Sequence, residues 1–106
     1  MHSPDERQRR EGRYPLSLSV RVSLPQSPLI WAQSQNISSR GILLTSDTPI
    51  QKHSRVDLSV YLPLQAGIGL SNVGEVVRVE QSKSGEFVIA VSCEQHFRLS
   101  PVDKRA

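Results

Sequence analysis

Apolar and polar residues alternate along most of this chain, in short runs broken by proline, glycine and serine. From residue 16, Leu16, Leu18, Val20, Val22 and Leu24 fall on one face, and Ser17, Ser19, Arg21 and Ser23 on the other. That period of two is the mark of a strand with one buried face. Pro25-Gln26-Ser27-Pro28 signals a turn, and residues 29–35 and 41–46 read as second and third strands separated by the polar stretch 36–40. Asp47-Thr48-Pro49 breaks the chain. Val56, Leu58, Val60 and Leu62 then alternate against Asp57, Ser59 and Tyr61, a fourth strand stopped by Pro63. Residues 65–71, with Gly67 and Gly69, read as an irregular connection. The fifth strand is expected over residues 73–80, with Val77 and Val79 on the face opposite Val76 and Arg78. Ser82-Lys83-Ser84-Gly85 is a turn, 86–93 a sixth strand, and 94–99 are expected to close as one helical turn.

No segment sustains helical periodicity, and no internal repeat is evident. Six short strands with turn signals between them predict an all-β barrel or sandwich. Closure into a small antiparallel barrel is favoured, because an open six-stranded sheet leaves unpaired edges. The domain reading is a flexible basic arm over residues 1–13, a barrel over 14–99 and a short polar tail over 100–106. Trp31 is expected to pack inside the barrel as a large apolar anchor, with stacking on a ligand as the alternative.

Composition narrows the class. At 106 residues and 37% hydrophobic, the chain supports one modest core. No apolar run approaches the roughly 18 residues of a membrane helix, so no membrane insertion is expected. The polar stretch Met1-His2-Ser3-Pro4-Asp5-Glu6-Arg7 has no apolar region behind it, so a secretory signal is not expected. Cys93 stands alone, which rules out an intrachain disulfide and suits a reducing compartment; the expected location is cytoplasmic.

The net charge of +3 is unevenly spread. Arg7, Arg9, Arg10 and Arg13 fall close together, and arginine outnumbers lysine ten to three. Arginine presents a planar fork suited to phosphate and to guanine, where lysine offers only a point charge. A charge run by itself is most often a solvated arm.

Two strings within this frame carry chemistry. Arg9-Arg10-Glu11-Gly12-Arg13 reads R-x-x-x-R on the arm before the first strand. Asn36-Ile37-Ser38-Ser39-Arg40-Gly41 reads N-x-S-x-x-G at a junction between two strands. In a chain with ten arginines, about one R-x-x-x-R match arises by chance. The second string is rarer, and the order and spacing of the pair make the combination informative. Gly41 permits positive φ or a close backbone approach. Asn36 and Ser38 are turn formers that bond local backbone; period-two geometry would alternatively aim both outward from one face, leaving their polar groups free.

Together the two strings resemble the signature of the PilZ domain, a small β-barrel family that senses the bacterial second messenger cyclic di-GMP. The resemblance spans roughly residues 7–97 and implies a split-barrel fold. It implies that Arg9 and Arg13 hold guanine and phosphate groups of cyclic di-GMP, and that Asn36, Ser38 and Gly41 line the opposing side. Arg10 and Arg40, inside the motifs, are auxiliary phosphate contacts on this reading, and Arg7 is a weaker candidate. Family members carry a Gly-hydrophobic-x-Phe pattern in the last strand, where this chain has Ala90-Val91-Ser92-Cys93. They also often carry a C-terminal helix, which the short stretch after Phe97 would reduce or remove.

The function expected is therefore a non-catalytic cyclic di-GMP receptor whose arm orders on binding and which acts through a downstream protein partner. No cofactor is expected beyond that ligand. The alternatives are a basic-arm barrel binding nucleic acid, for which 5% aromatic content is poor provision, and a PilZ-like protein-interaction module without a nucleotide. Cys93 and His96 alone cannot build a zinc site, and no nucleophile elbow or phosphate-binding glycine loop is present.

Overall fold

A computed structural model describes residues 17–63 and 67–102. Its strands are β1 (Ser19–Leu24), β2 (Ser27–Ser38), β3 (Gly41–Ser46), β4 (Arg55–Tyr61), β5 (Ile68–Gln81), β6 (Phe87–Cys93) and β7 (Arg98–Pro101). All pairings are antiparallel. Neighbours run β4-β1-β2-β3-β6-β5, and β4 pairs with β5 to close a six-stranded barrel. β7 is an extra strand on β5.

Closure depends on the length of β5. Its 14 residues pair with β4 through 69–75, with β6 through 74–81 and with β7 through 68–71. Where β4 and β6 both approach, β5 carries Gly74. A Cβ built there would lie 2.7 Å from the Ser92 carbonyl oxygen and 2.8 Å from Cys93 Sγ. A larger residue would push β6 away from the junction.

The alternation in the sequence becomes the barrel interior. Val20 and Val22 of β1, Leu44 of β3, Val56, Leu58 and Val60 of β4, and Ile89 and Val91 of β6 are buried. Each such side chain contributes roughly 1.5–3 kcal/mol by leaving water. Ile50, beyond β3, joins the same cluster, with Leu18, Leu24 and Phe97 packed against it.

The register shifts at three places: between Val22 and Leu24 near the β1–β2 turn, and at two bulges further into the wall. Across β2 and β3, Ser34 faces Leu44 and Asn36 faces Leu43, so Gln35 is an extra residue. Across β5 and β6, Val76 faces Val91 and Arg78 faces Ala90, which leaves Val77 over. An inserted residue reverses which side of the sheet every later side chain occupies. Val76 is therefore buried and Val79 packs on the core, while Val77 is exposed between them. This corrects the expected pairing of Val77 with Val79.

Other expectations also change. Residues 94–99 form no helical turn; 98–101 are β7, because Leu70 and Ser71 offer them a strand edge. Residues 68–71, expected as irregular connection, belong to β5. Trp31 lies outside the barrel, 40% exposed, because it alternates with buried Ala32. Its ring packs on Tyr61 with centroids 5.6 Å apart and planes tilted by 44°. The pattern at Ala90-Val91-Ser92-Cys93 closes the barrel: Val91 and Cys93 are buried, and pairing to β5 runs through all four positions.

Candidate functional site

The β2–β3 hairpin places the second motif. Because Gln35 bulges, Ile37 is buried while Asn36 and Ser38 stand on the outer face, both half-buried. Gly41 lies directly across from Ser38 and next to Ser92 of β6. The structure thus gathers Asn36, Ser38 and Gly41 on one outward patch.

Their local chemistry differs in part from expectation. Ser38 Oγ donates to the Gly41 carbonyl at 3.4 Å, long for a hydroxyl bond and correspondingly weak. Local bonding is thus present at Ser38, but it leaves the hydroxyl readily available to a better acceptor. Gly41 is not one of the positive-φ glycines among the described residues, which are Gly67 and Gly85. Its use here is spatial. A Cβ at Gly41 would sit 3.3 Å from the Val91 carbonyl and 3.4 Å from Ser38 Oγ, narrowing the floor beside the serine.

Arg40 stands exposed at the hairpin tip, beside the end of β6. Its Nη1 donates to the Glu94 carbonyl at 3.5 Å. The tip is anchored there by backbone as well, with Cys93 N–H donating to the Arg40 carbonyl and Phe97 N–H to the Ser39 carbonyl, both at 2.9 Å. These bonds make the hairpin a firm support.

Arg7, Arg9, Arg10 and Arg13 lie outside the described residues, but the point where their segment joins the barrel is described. Ser17 Oγ donates to Gln33 Oε1 at 3.0 Å, and Leu18 and Ser34 exchange bonds at 2.9 Å. Gln33 is exposed on β2, roughly 10 Å along the strand from Asn36. Three residues, 14–16, separate Arg13 from Ser17 in the sequence, so the two are at most roughly 14 Å apart. Ser17, where the described residues begin, is thus bonded to the exposed Gln33 of β2, the strand that also carries Asn36.

Register rows define the surface beyond the motif. Ser38, Gly41, Ser92 and Glu75 follow one another across β2, β3, β6 and β5. The neighbouring row is Asn36, Leu43, Ala90 and Arg78. Leu43, Ala90 and Val88 are half-buried on this outer face. Glu75 Oε2 lies 3.0 Å from His53 Nδ1 and accepts its N–H in the tautomer that carries a proton on that nitrogen.

Elsewhere, burial pushes the Cys93 thiol pKa up, which opposes nucleophilic use. Among the described residues no group of three His, Cys, Asp or Glu could share a metal, and no helix is long and apolar enough to cross a membrane.

Comparison with known proteins agrees with the fold. The model of the PilZ domain matches residues 7–105. Five chains of solved structures match significantly; one is the Bacillus subtilis inhibitor of motility MotI/DgrA, with a TM-score of 0.65 and 20% identity. That alignment covers 79% of this chain and 41% of the other, so the chain spans less than half the length of that neighbour. No curated protein sequence matches significantly.

Proposed function

The chain belongs to the PilZ domain family, and on that premise we propose that it is a non-catalytic receptor for cyclic di-GMP. The observation that carries this reading is the outward grouping of Asn36, Ser38 and Gly41 by the Gln35 bulge. The ligand carries two phosphates and two guanines. Asn36 offers an amide able both to donate and to accept, and Ser38 a hydroxyl for a phosphate oxygen. Arg9 and Arg13 supply guanidinium groups that fork onto phosphate or onto guanine O6 and N7, with Arg10 as an auxiliary. Arg40, at the hairpin tip, is a second auxiliary phosphate contact on this reading.

Binding draws the basic arm across the patch and exchanges one surface for another, which a downstream protein partner then reads. The charge of the ligand makes affinity fall with added salt.

Calorimetric titration with cyclic di-GMP tests the reading. The intact chain binds, and Arg9→Ala or Arg13→Ala abolishes most binding while the circular dichroism spectrum stays unchanged. Unaltered affinity in both variants would overturn it. Binding of single-stranded RNA in place of the dinucleotide would instead favour a nucleic-acid barrel.

A further inference from the structure

Trp31 is the one tryptophan of the chain, and it stands 40% exposed on the outside of β2. Its ring rests on Tyr61 of β4, with centroids 5.6 Å apart. β1 lies between those two strands, so the rings meet over β1. Arg21 of β1 faces Trp31 on one side and Ser59 on the other, and gives a positive charge to a wall built here otherwise from Ser19, Gln33 and Ser59. The N-terminal arm joins the barrel beside this wall. Ser17 Oγ donates to Gln33, which shares the outer face of β2 with Trp31, two residues or roughly 7 Å away. Arg13 lies at most roughly 14 Å from Ser17, and Pro15 between them suits a change of direction.

We propose that, without ligand, the arm folds back on this wall, with Arg13 stacked on Trp31 and Glu11 over Arg21. Tryptophan offers a guanidinium its most favourable aromatic face. Residues two apart in an extended segment point the same way. Glu11 and Arg13 therefore meet neighbouring positions of the wall, as Arg21 and Trp31 are. The charges are complementary in that order: the acid falls on Arg21 and the guanidinium on the ring. Arg13 then has two alternative places, this one and its contact with cyclic di-GMP, and it cannot hold both. The ligand must draw Arg13 off Trp31, so the wall contact lowers apparent affinity and binding uncovers the ring. The exchange rests on the cyclic di-GMP reading above; the contact with Trp31 stands without it.

Trp31 fluorescence reads the contact directly, because no other tryptophan contributes. In the ligand-free full chain, Arg13→Ala is expected to raise acrylamide quenching of Trp31. Lys83→Ala removes an exposed charge at the β5–β6 turn and leaves quenching unchanged. Adding cyclic di-GMP to the intact chain is expected to raise quenching as well. Trp31→Leu, checked for folding by circular dichroism, should bind cyclic di-GMP roughly two- to fivefold more tightly, the weight of an exposed cation–π contact. Unchanged quenching in Arg13→Ala, or an equal change in Lys83→Ala, would overturn the contact. Quenching that falls on addition of ligand, with weaker binding by Trp31→Leu, would overturn the exchange and show a base stacked on Trp31 instead. Failure of the intact chain to bind cyclic di-GMP would overturn the receptor reading and the exchange with it, while quenching in Arg13→Ala still decides the contact.

Discussion

Ser34 and Asn36 lie two residues apart on β2 and face opposite sides of the barrel wall. Ser34 is buried and bonded to the backbone of Leu18, while Asn36 stands outside over Leu43. Gln35 between them is the whole difference. The site is thus built by a single residue without a partner across the ladder, and the energetics of the wall and of the site can be separated by experiment.

Asn36→Ala should change stability by less than about 0.5 kcal/mol, as is usual for a substitution away from the core, yet weaken cyclic di-GMP binding about tenfold or more. Deleting Gln35 should do the reverse to the wall. It returns Asn36 to the inside and Ile37 to the outside, and an unpaired buried amide costs about 1–3 kcal/mol. Urea unfolding beside calorimetric titration reads both quantities.

Gly74→Ala should destabilise the barrel by about 1–3 kcal/mol, the usual cost of overpacking. The added methyl meets the Ser92 carbonyl, Val91 Cγ1 and Cys93 Sγ, all within 2.8 Å. Loss should appear in the urea midpoint. An unchanged midpoint would mean that β6 can move outward freely at the junction.

Tyr61→Phe should leave stability unchanged or raise it by up to about 1 kcal/mol. The Tyr61 hydroxyl is buried without a hydrogen-bond partner, and removing such a group relieves its desolvation. The ring and its packing on Trp31 remain. Trp31→Ala, by contrast, forfeits about 0.5–1.5 kcal/mol of ring pairing besides its buried area. Thermal unfolding of the two variants compares them.

Cys93 should resist alkylation at neutral pH until the barrel opens. Burial holds the folded thiol pKa above its ordinary value. The sign follows from linkage: the folded state keeps its proton where the unfolded chain, near pH 8.5, begins to lose it. The contribution is complete below that pH and is lost as pH rises towards and through the folded pKa. Iodoacetamide labelling against urea concentration, at pH 7 and pH 9, checks both statements; Cys93→Ser should flatten the alkaline decline.

Much of this architecture is legible in one dimension. Val20 and Val22, or Val56, Leu58 and Val60, alternate with polar neighbours and are buried as expected, because a strand offers only two faces and water selects between them. The turn signals at Pro25-Gln26 and Ser82 to Gly85 do separate strands. The membership of the PilZ family was carried by short strings whose residues are adjacent in the chain. Expectations failed where a distant partner decided the outcome. Residues 98–101 became β7 because β5 supplies an edge, and Trp31 went outside because its neighbour Ala32 is the residue the narrow interior admits.

Local alternation and punctuation settled that the chain is a small β-barrel, since hydrophobic burial and turn chemistry act over a few residues at a time. Pairing between strands far apart in sequence settled the rest. The bulges at Gln35 and Val77 exist only relative to β3 and β6, and each returns the residue after it, Asn36 or Arg78, to the outside of the barrel. A ladder's register is a relation between two segments, so neither segment records it by itself.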